Sequence, residues 1–415
     1  MSDSTDEMTI ELATKRVKLD DSENKDRLSD LPESIILHIM SFLNTEYAVR
    51  TCILSTKWKD IWKRLPALIL RSYEFRSMKI FKKIVSNVLS LRDSSISLQS
   101  LDFERYNCRF ETEMLKTVVN YALTHNVQRI GLYVNGGDIA QIPPTMFSCE
   151  TLTHLKLSIH NGIRHKTVLF PESLNLPALT SLQLGNFTFC VRDNDSAEPF
   201  SILNRLNNLL ISDCTVKGTD TLCISSATLV NLTIYNNSND YYKIELRTPS
   251  LCTFAFCGTP CQSISGSNVS SLKHVDIHAE AEVVSYSLGP PMFLFSWLLE
   301  FANIKSLTVT ATTLQVLSLF PGMFKFNFPS LGNLKSLRVE FDEIPYKFRM
   351  LLCKVKLLTV ESEEETARIT KAFELGSEPS PPIPVGMVDF LLQNSSSAEV
   401  KYVDCTKKPL RPRRL

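Results

Sequence analysis

The stretches LTHLKL (152–157) and LTSLQL (179–184) share one pattern, apolar-x-x-apolar-x-apolar, and start 27 residues apart. Side chains along a strand alternate between its two faces. The last two apolar positions of each stretch therefore point one way, and the residues between them point the other. One such strand cannot hide its apolar side, but similar strands stacked beside it build a continuous core. Upstream the pattern recurs at LQSLDF (98–103) and VQRIGL (127–132). Downstream it recurs at LNNLLI (206–211), LVNLTI (229–234), LCTFAF (251–256), LKHVDI (272–277), IKSLTV (304–309) and LKSLRV (334–339), and VKLLTV (355–360) reads as an eleventh unit. The spacings bracket the roughly 20–29-residue period of leucine-rich repeats. The fold class expected is α/β, a solenoid over 97–360 with a curved parallel β-sheet.

Outward positions of these strands would line the concave face. Arg129, Tyr133, His154, Lys156, Tyr235, His274, Asp276 and Arg338 are the candidate substrate contacts. They mix both charges, and aromatic and Arg side chains are the usual anchors of such surfaces. A pocket for a small ligand would need basic residues clustered from several repeats, and in the sequence they read as dispersed. Three residues past the last apolar position, Asn135, Cys214 and Asn237 are placed to bond turn backbone.

At the N-terminal end stands DRLSDLPESIILHIMSFLNTEYAVRTCILSTKWKDIWKRLP (26–66). Pro32 suits a helix start. Ile36, Ile39, Met40 and Leu43 then fall on one helical stripe. Asn44 or Thr45 caps a second helix with Tyr47, Val49, Cys52 and Ile53. Ser55 or Thr56 caps a third with Trp58, Ile61, Trp62 and Leu65. Three short helices cannot bury this much apolar surface among themselves, so the surplus implies a partner.

This segment, within bounds 26–70, resembles the F-box of plant F-box/leucine-rich-repeat proteins, in the opening Asp26-Arg27-Leu28-Ser29-Asp30-Leu31-Pro32, the Leu54-Ser55 step and the paired Trp58 and Trp62. The resemblance implies a contact with a Skp1-like adaptor through Leu31, Pro32, Ile36, Ile39, Leu43, Val49, Leu54 and Trp58, with cullin and RING subunits reached through that adaptor. It implies a non-catalytic substrate receptor of a ubiquitin ligase acting on a protein target. A Skp1-binding scaffold outside any ligase and a small-ligand co-receptor are the alternatives. Segment 71–96 reads as a linker helix, with Phe81, Ile84, Val85, Val88 and Leu89 at helical spacing. Within 361–405, VGMVDFLLQNSSSAEVKYVDC (385–405) faintly resembles the end of the FBD domain carried by some relatives, and reads as a terminal cap.

The remaining signals are short. Residues 1–25 are polar and charged, a composition that does not pack a core. KRVKLD (15–20) resembles a nuclear-import signal read by importin-α through Lys15, Arg16 and Lys18. With the basic tail 406–415 it points to nucleus and/or cytoplasm. A net charge of +1 gives no field for nucleic acid or an anionic membrane. No signal peptide or membrane span is expected. Eleven scattered cysteines suit a reducing compartment. Cys257, Cys261, His274 and His278 satisfy zinc-finger spacing, but Ser265 and Ser271 stand where a finger needs its apolar core, and both histidines fall in a strand. No metal, cofactor or catalytic residue is expected.

Overall fold

The computed structural model describes residue 28 and residues 30–405, apart from 106–111, 136–141, 161–167, 192–195, 239, 267–268, 281–288, 302, 321, 326–330, 342–345, 360–361 and 375–382. It has two compact units, one ending at Leu65 and one beginning at Pro66.

In the first unit, helix α1 (Glu33–Met40) and helix α2 (Thr45–Arg50) form as the spacing requires. The Asn44 side chain accepts the Tyr47 backbone N–H at 2.9 Å, which caps α2. Pro32 sits just before α1, as its N-cap. The third helix does not form. Residues 56–60 run as turns and Ile61–Arg64 is a short 3₁₀ helix. Trp58, Ile61, Trp62 and Leu65 are buried nonetheless. A 3₁₀ turn keeps residues three apart on one side, so it serves the same apolar spacing. An Arg64–Glu33 ion pair ties this turn to α1, and Lys57 Nζ donates to the Leu31 carbonyl at 2.7 Å.

The second unit is built on one sheet of twelve parallel strands, curved as a leucine-rich-repeat solenoid. Ten strands lie where the first ten sequence units fall, from Ser100–Arg105 through Arg129–Asn135, His154–His160 and Ser181–Gly185 to Ser336–Phe341. The other two were placed differently by the sequence. Ala67–Arg71 opens the sheet by pairing with Ser100–Arg105 and so lies in the second compact unit, although the expected F-box bounds run to residue 70. At the far edge Glu399–Asp404 pairs with Ser336–Phe341. The segment read as a cap thus supplies the last strand. Residues 355–359 of VKLLTV lie instead at the end of a helix, Tyr346–Thr359. Phe348, Leu351 and Leu352 are buried along it, and their 3–4 spacing outweighs the strand-like alternation.

One side of the sheet faces the core. Leu101, Phe103, Ile130, Leu132, Leu155, Leu157, Leu182 and Leu184 are buried there in register. Behind the early strands pack α3 (Met78–Leu91, capped by Ser77) and α4 (Thr112–Thr124). The middle strands are backed by two three-stranded parallel sheets, and not by helices. Phe170, Phe187, Phe189 and Phe200 form an aromatic cluster beneath them. Further on, α5 (Gly289–Glu300) buries Trp297 against Phe254 and Phe256, and its indole N–H donates to the Gln262 carbonyl at 2.9 Å.

The turn-bonding role falls on a neighbour of the expected residue. Asn236, 2% exposed, donates from Nδ2 to the Thr259 carbonyl at 2.8 Å, whereas Asn237 is exposed. Cys214 Sγ reaches the Ser212 carbonyl at 3.4 Å as expected, and the Asn135 side chain lies outside the described atoms. Among the described residues, no helix is long and apolar enough to cross a membrane.

Candidate functional site

The first candidate surface is on the F-box unit. Its core takes Ile36 at 0% exposure and Trp58 at 3%. Both were expected to face a partner, and the structure corrects this: they hold α1 and the last turns together. Of the other expected positions, Pro32, Ile39 and Leu54 are exposed, and Leu31, Leu43 and Val49 are half-buried. The surface also displays residues that were not among the expected docking positions. Ile53 is 84% exposed and Phe42 75%, and Leu28 and Ile35 are exposed with them. A unit of under forty described residues thus leaves seven large aliphatic or aromatic side chains in water: Leu28, Ile35, Ile39, Phe42, Tyr47, Ile53 and Leu54. Scattered single residues of this kind are ordinary; a concentration on so small a unit marks an interaction surface.

The second candidate surface is the outward face of the early strands. Register sets Ser100, Arg129, His154 and Ser181 in one row across four neighbouring strands, and Asp102, Gly131, Lys156 and Gln183 in the next. These eight residues, with backbone of Ile130 and Leu155 beneath, line a cavity of about 310 Å³. Arg129, His154 and Lys156 were expected on this face, but not as a cluster; the parallel register brings them together. Asp102 and Gly131 were missed. The signal was present, since Asp102 lies between Leu101 and Phe103, the two buried positions of its strand. Water still reaches Asp102, but partial desolvation on the sheet raises its carboxyl pKa, against the opposing pull of Lys156.

The remaining expected contacts lie elsewhere on the sheet. Tyr133 packs on His160 with ring centroids 4.9 Å apart, one row beyond the cavity. Burial lowers the His160 pKa, and Asp213 partly offsets this. Tyr235 occupies that same outer row, between Ser212 and Cys257. His274 and Asp276 are on a strand six places from Arg129, roughly 29 Å along the sheet at about 4.8 Å per strand. His278 Nε2 meets Asp276 Oδ1 there at 2.6 Å. Arg338 is held by Glu340 at 2.9 Å. One compact ligand cannot touch all eight. Cys257 pairs with His278 across neighbouring strands, which is not finger geometry, and no group of three metal-binding side chains occurs among the described residues. Lys15, Arg16, Lys18 and the tail 406–415 lie outside the described residues.

Comparison with known proteins bears on both surfaces. Residues 28–70 match the F-box domain family. An F-box/FBD/LRR-repeat protein of Arabidopsis thaliana is 24% identical over 359 residues, 81% of this chain and 76% of its own length. An F-box protein of the same plant is 25% identical over 343 residues, 76% of this chain and 78% of its own. The chain thus carries an F-box and, over most of its length, resembles plant F-box/leucine-rich-repeat proteins. F-box/LRR-repeat protein 13 of A. thaliana, 29% identical over 176 residues, covers 41% of it and 37% of its own length. An F-box implies binding of a Skp1-type adaptor in general, and the relatives support a family of F-box substrate adaptors.

Proposed function

We propose that this chain is the substrate-recognition subunit of a Skp1–cullin–F-box ubiquitin ligase. The observation that carries the reading is the exposed apolar group Leu28, Ile35, Ile39, Phe42, Ile53 and Leu54 on a unit too small to bury it. These residues dock on a Skp1-type adaptor, which brings cullin and RING subunits. The outward face of the repeat sheet holds a protein target, which is then ubiquitinated and degraded. The chain itself contributes no catalytic group; ubiquitin transfer belongs to the RING subunit and its E2 partner. The basic segment at Lys15, Arg16 and Lys18 supports entry to the nucleus through importin-α.

Co-purification tests this reading. The wild-type chain brings down adaptor and cullin, and the double variant Ile39→Ala, Leu54→Ala brings down neither while the repeat unit stays folded. Adaptor without cullin would favour a scaffold outside any ligase. Adaptor and cullin retained by the variant would contradict the assignment of the docking face.

A further inference from the structure

The cavity over Gly131 has the charge and size of a side-chain pocket. Arg129 and Lys156 face it from neighbouring strands, and neither lies within ion-pair distance of a carboxylate among the described residues. Other outward cations are held: Arg71 lies 3.5 Å from Glu104, and Arg338 2.9 Å from Glu340. Arg129 and Lys156 against the single carboxylate of Asp102 leave the cavity with an excess of positive charge. Gly131 keeps it open, because a Cβ there would come within 2.3 Å of Asp102 Oδ1. Ser100, Ser181 and Gln183 add neutral hydrogen-bonding groups around the rim. A volume of about 310 Å³ lies at the small end of the roughly 300–1,000 Å³ range of ligand pockets. It suits one or two side chains better than a large free ligand.

We propose that this cavity is the specificity pocket of the receptor and accepts an anionic side chain of the target, a carboxylate or a phosphoryl group. Arg129 offers a planar fork that matches either oxyanion bidentately, and Lys156 adds a point charge from the next strand. Asp102, across Gly131, accepts a donor from the residue beside the anion and repels a second acid. The pocket therefore selects an isolated anion over an acidic run. This inference rests on reading the chain as a substrate receptor.

The test uses the full chain expressed with a Skp1-type adaptor and immobilised. Four randomised nonapeptide pools are passed over it, with the central residue fixed as Glu, phosphoserine, Gln or Lys. Retention of the Glu or the phosphoserine pool at least about fivefold above the Gln pool supports the pocket. Preference for Glu alone assigns the carboxylate, preference for phosphoserine alone assigns the phosphoryl group, and preference for both assigns oxyanions generally. The double variant Arg129→Gln, Lys156→Gln loses the preference at unchanged melting temperature. Should the double variant fail to fold, the two single variants carry the same comparison. Equal retention of the Glu, phosphoserine and Gln pools, a preference for Lys, or a preference that survives the double variant overturns the inference. Adaptor retention on the same column separates the two failures. Adaptor held without anion preference sinks the pocket alone, and anion preference without adaptor sinks the receptor reading.

Discussion

Asp102 and Gly131 face each other on adjacent parallel strands, and the missing side chain at Gly131 is what lets the Asp102 carboxylate lean over its neighbour. That gap turns two rows of outward side chains into a cavity. Lys156 stands on the next strand across Gly131, and its charge pulls the Asp102 pKa down.

Two glycines should respond differently to substitution. A Cβ at Gly131 meets the end of a flexible side chain, so Gly131→Ala is expected to cost less than about 1 kcal/mol. Gly258 has a φ of +117°, and a Cβ there would lie 2.0 Å from the Asn236 carbonyl oxygen. Gly258→Ala combines backbone strain with a backbone clash and should cost about 2 kcal/mol or more. Denaturant midpoints read the difference, and the reverse order would contradict the placement of these two glycines.

Asp102 predicts a pH-dependent stability. Its folded pKa is raised, so between the unfolded and folded values the native chain holds the extra proton, and stability falls as pH rises through that window. At neutral pH the ionised carboxylate is a net cost. Asp102→Asn should therefore raise the melting temperature at pH 7, and the gain should vanish as pH falls below the ordinary carboxylate range. An unchanged or lower melting temperature at pH 7 would mean that attraction to Lys156 and Arg129 outweighs desolvation.

Asn236 and Asn237 offer a paired comparison. Asn236→Ala leaves the Thr259 carbonyl without its buried donor and should cost about 1–3 kcal/mol. Asn237→Ala removes an exposed side chain, while the Asn237 backbone bond to Asp213 at 2.7 Å persists, so the change should stay within about 0.5 kcal/mol. Thermal melts of the two variants distinguish them.

Cysteine reactivity should follow burial. The Cys214 thiol is fully enclosed, and burial pushes its pKa up to about 12. Its thiolate is scarce and its sulfur inaccessible, so brief iodoacetamide treatment at pH 8 should leave it unmodified in the native chain. The half-exposed cysteines, Cys52 and Cys149 among them, should react before it. Peptide mass spectrometry gives the order, and early loss of Cys214 would show that the turn it anchors opens readily.

The repeats were legible because a period-two pattern survives wherever one face is buried, and each of the ten units from LQSLDF to LKSLRV became a strand. VKLLTV failed because a short apolar run satisfies strand and helix alike, and Phe348, Leu351 and Leu352 lie upstream of it at helical spacing. Ala67–Arg71 and Glu399–Asp404 lack the full repeat pattern and join the sheet only through their neighbours. In the F-box the apolar residues were visible but not their partition. Ile36 and Trp58 went inward while Phe42 and Ile53 stayed out, a division set by how two short helices and a 3₁₀ turn pack. The cavity needed the register. Asp102, Arg129 and Lys156 are 27 residues apart at each step along the chain, and only parallel pairing aligns them.

The central claim is that the exposed apolar face of the F-box unit binds a Skp1-type adaptor. Calorimetric titration of the adaptor into the wild-type chain and into Ile39→Ala, Leu54→Ala tests it most directly. Both side chains are exposed in the free chain, so the variant should keep the wild-type melting temperature. Loss of even one desolvated anchor, worth about 2 kcal/mol, weakens binding by roughly 30-fold. Weakening of at least that size at unchanged stability is the expected result. Wild-type affinity in the variant, or no binding by the wild-type chain, would contradict the account.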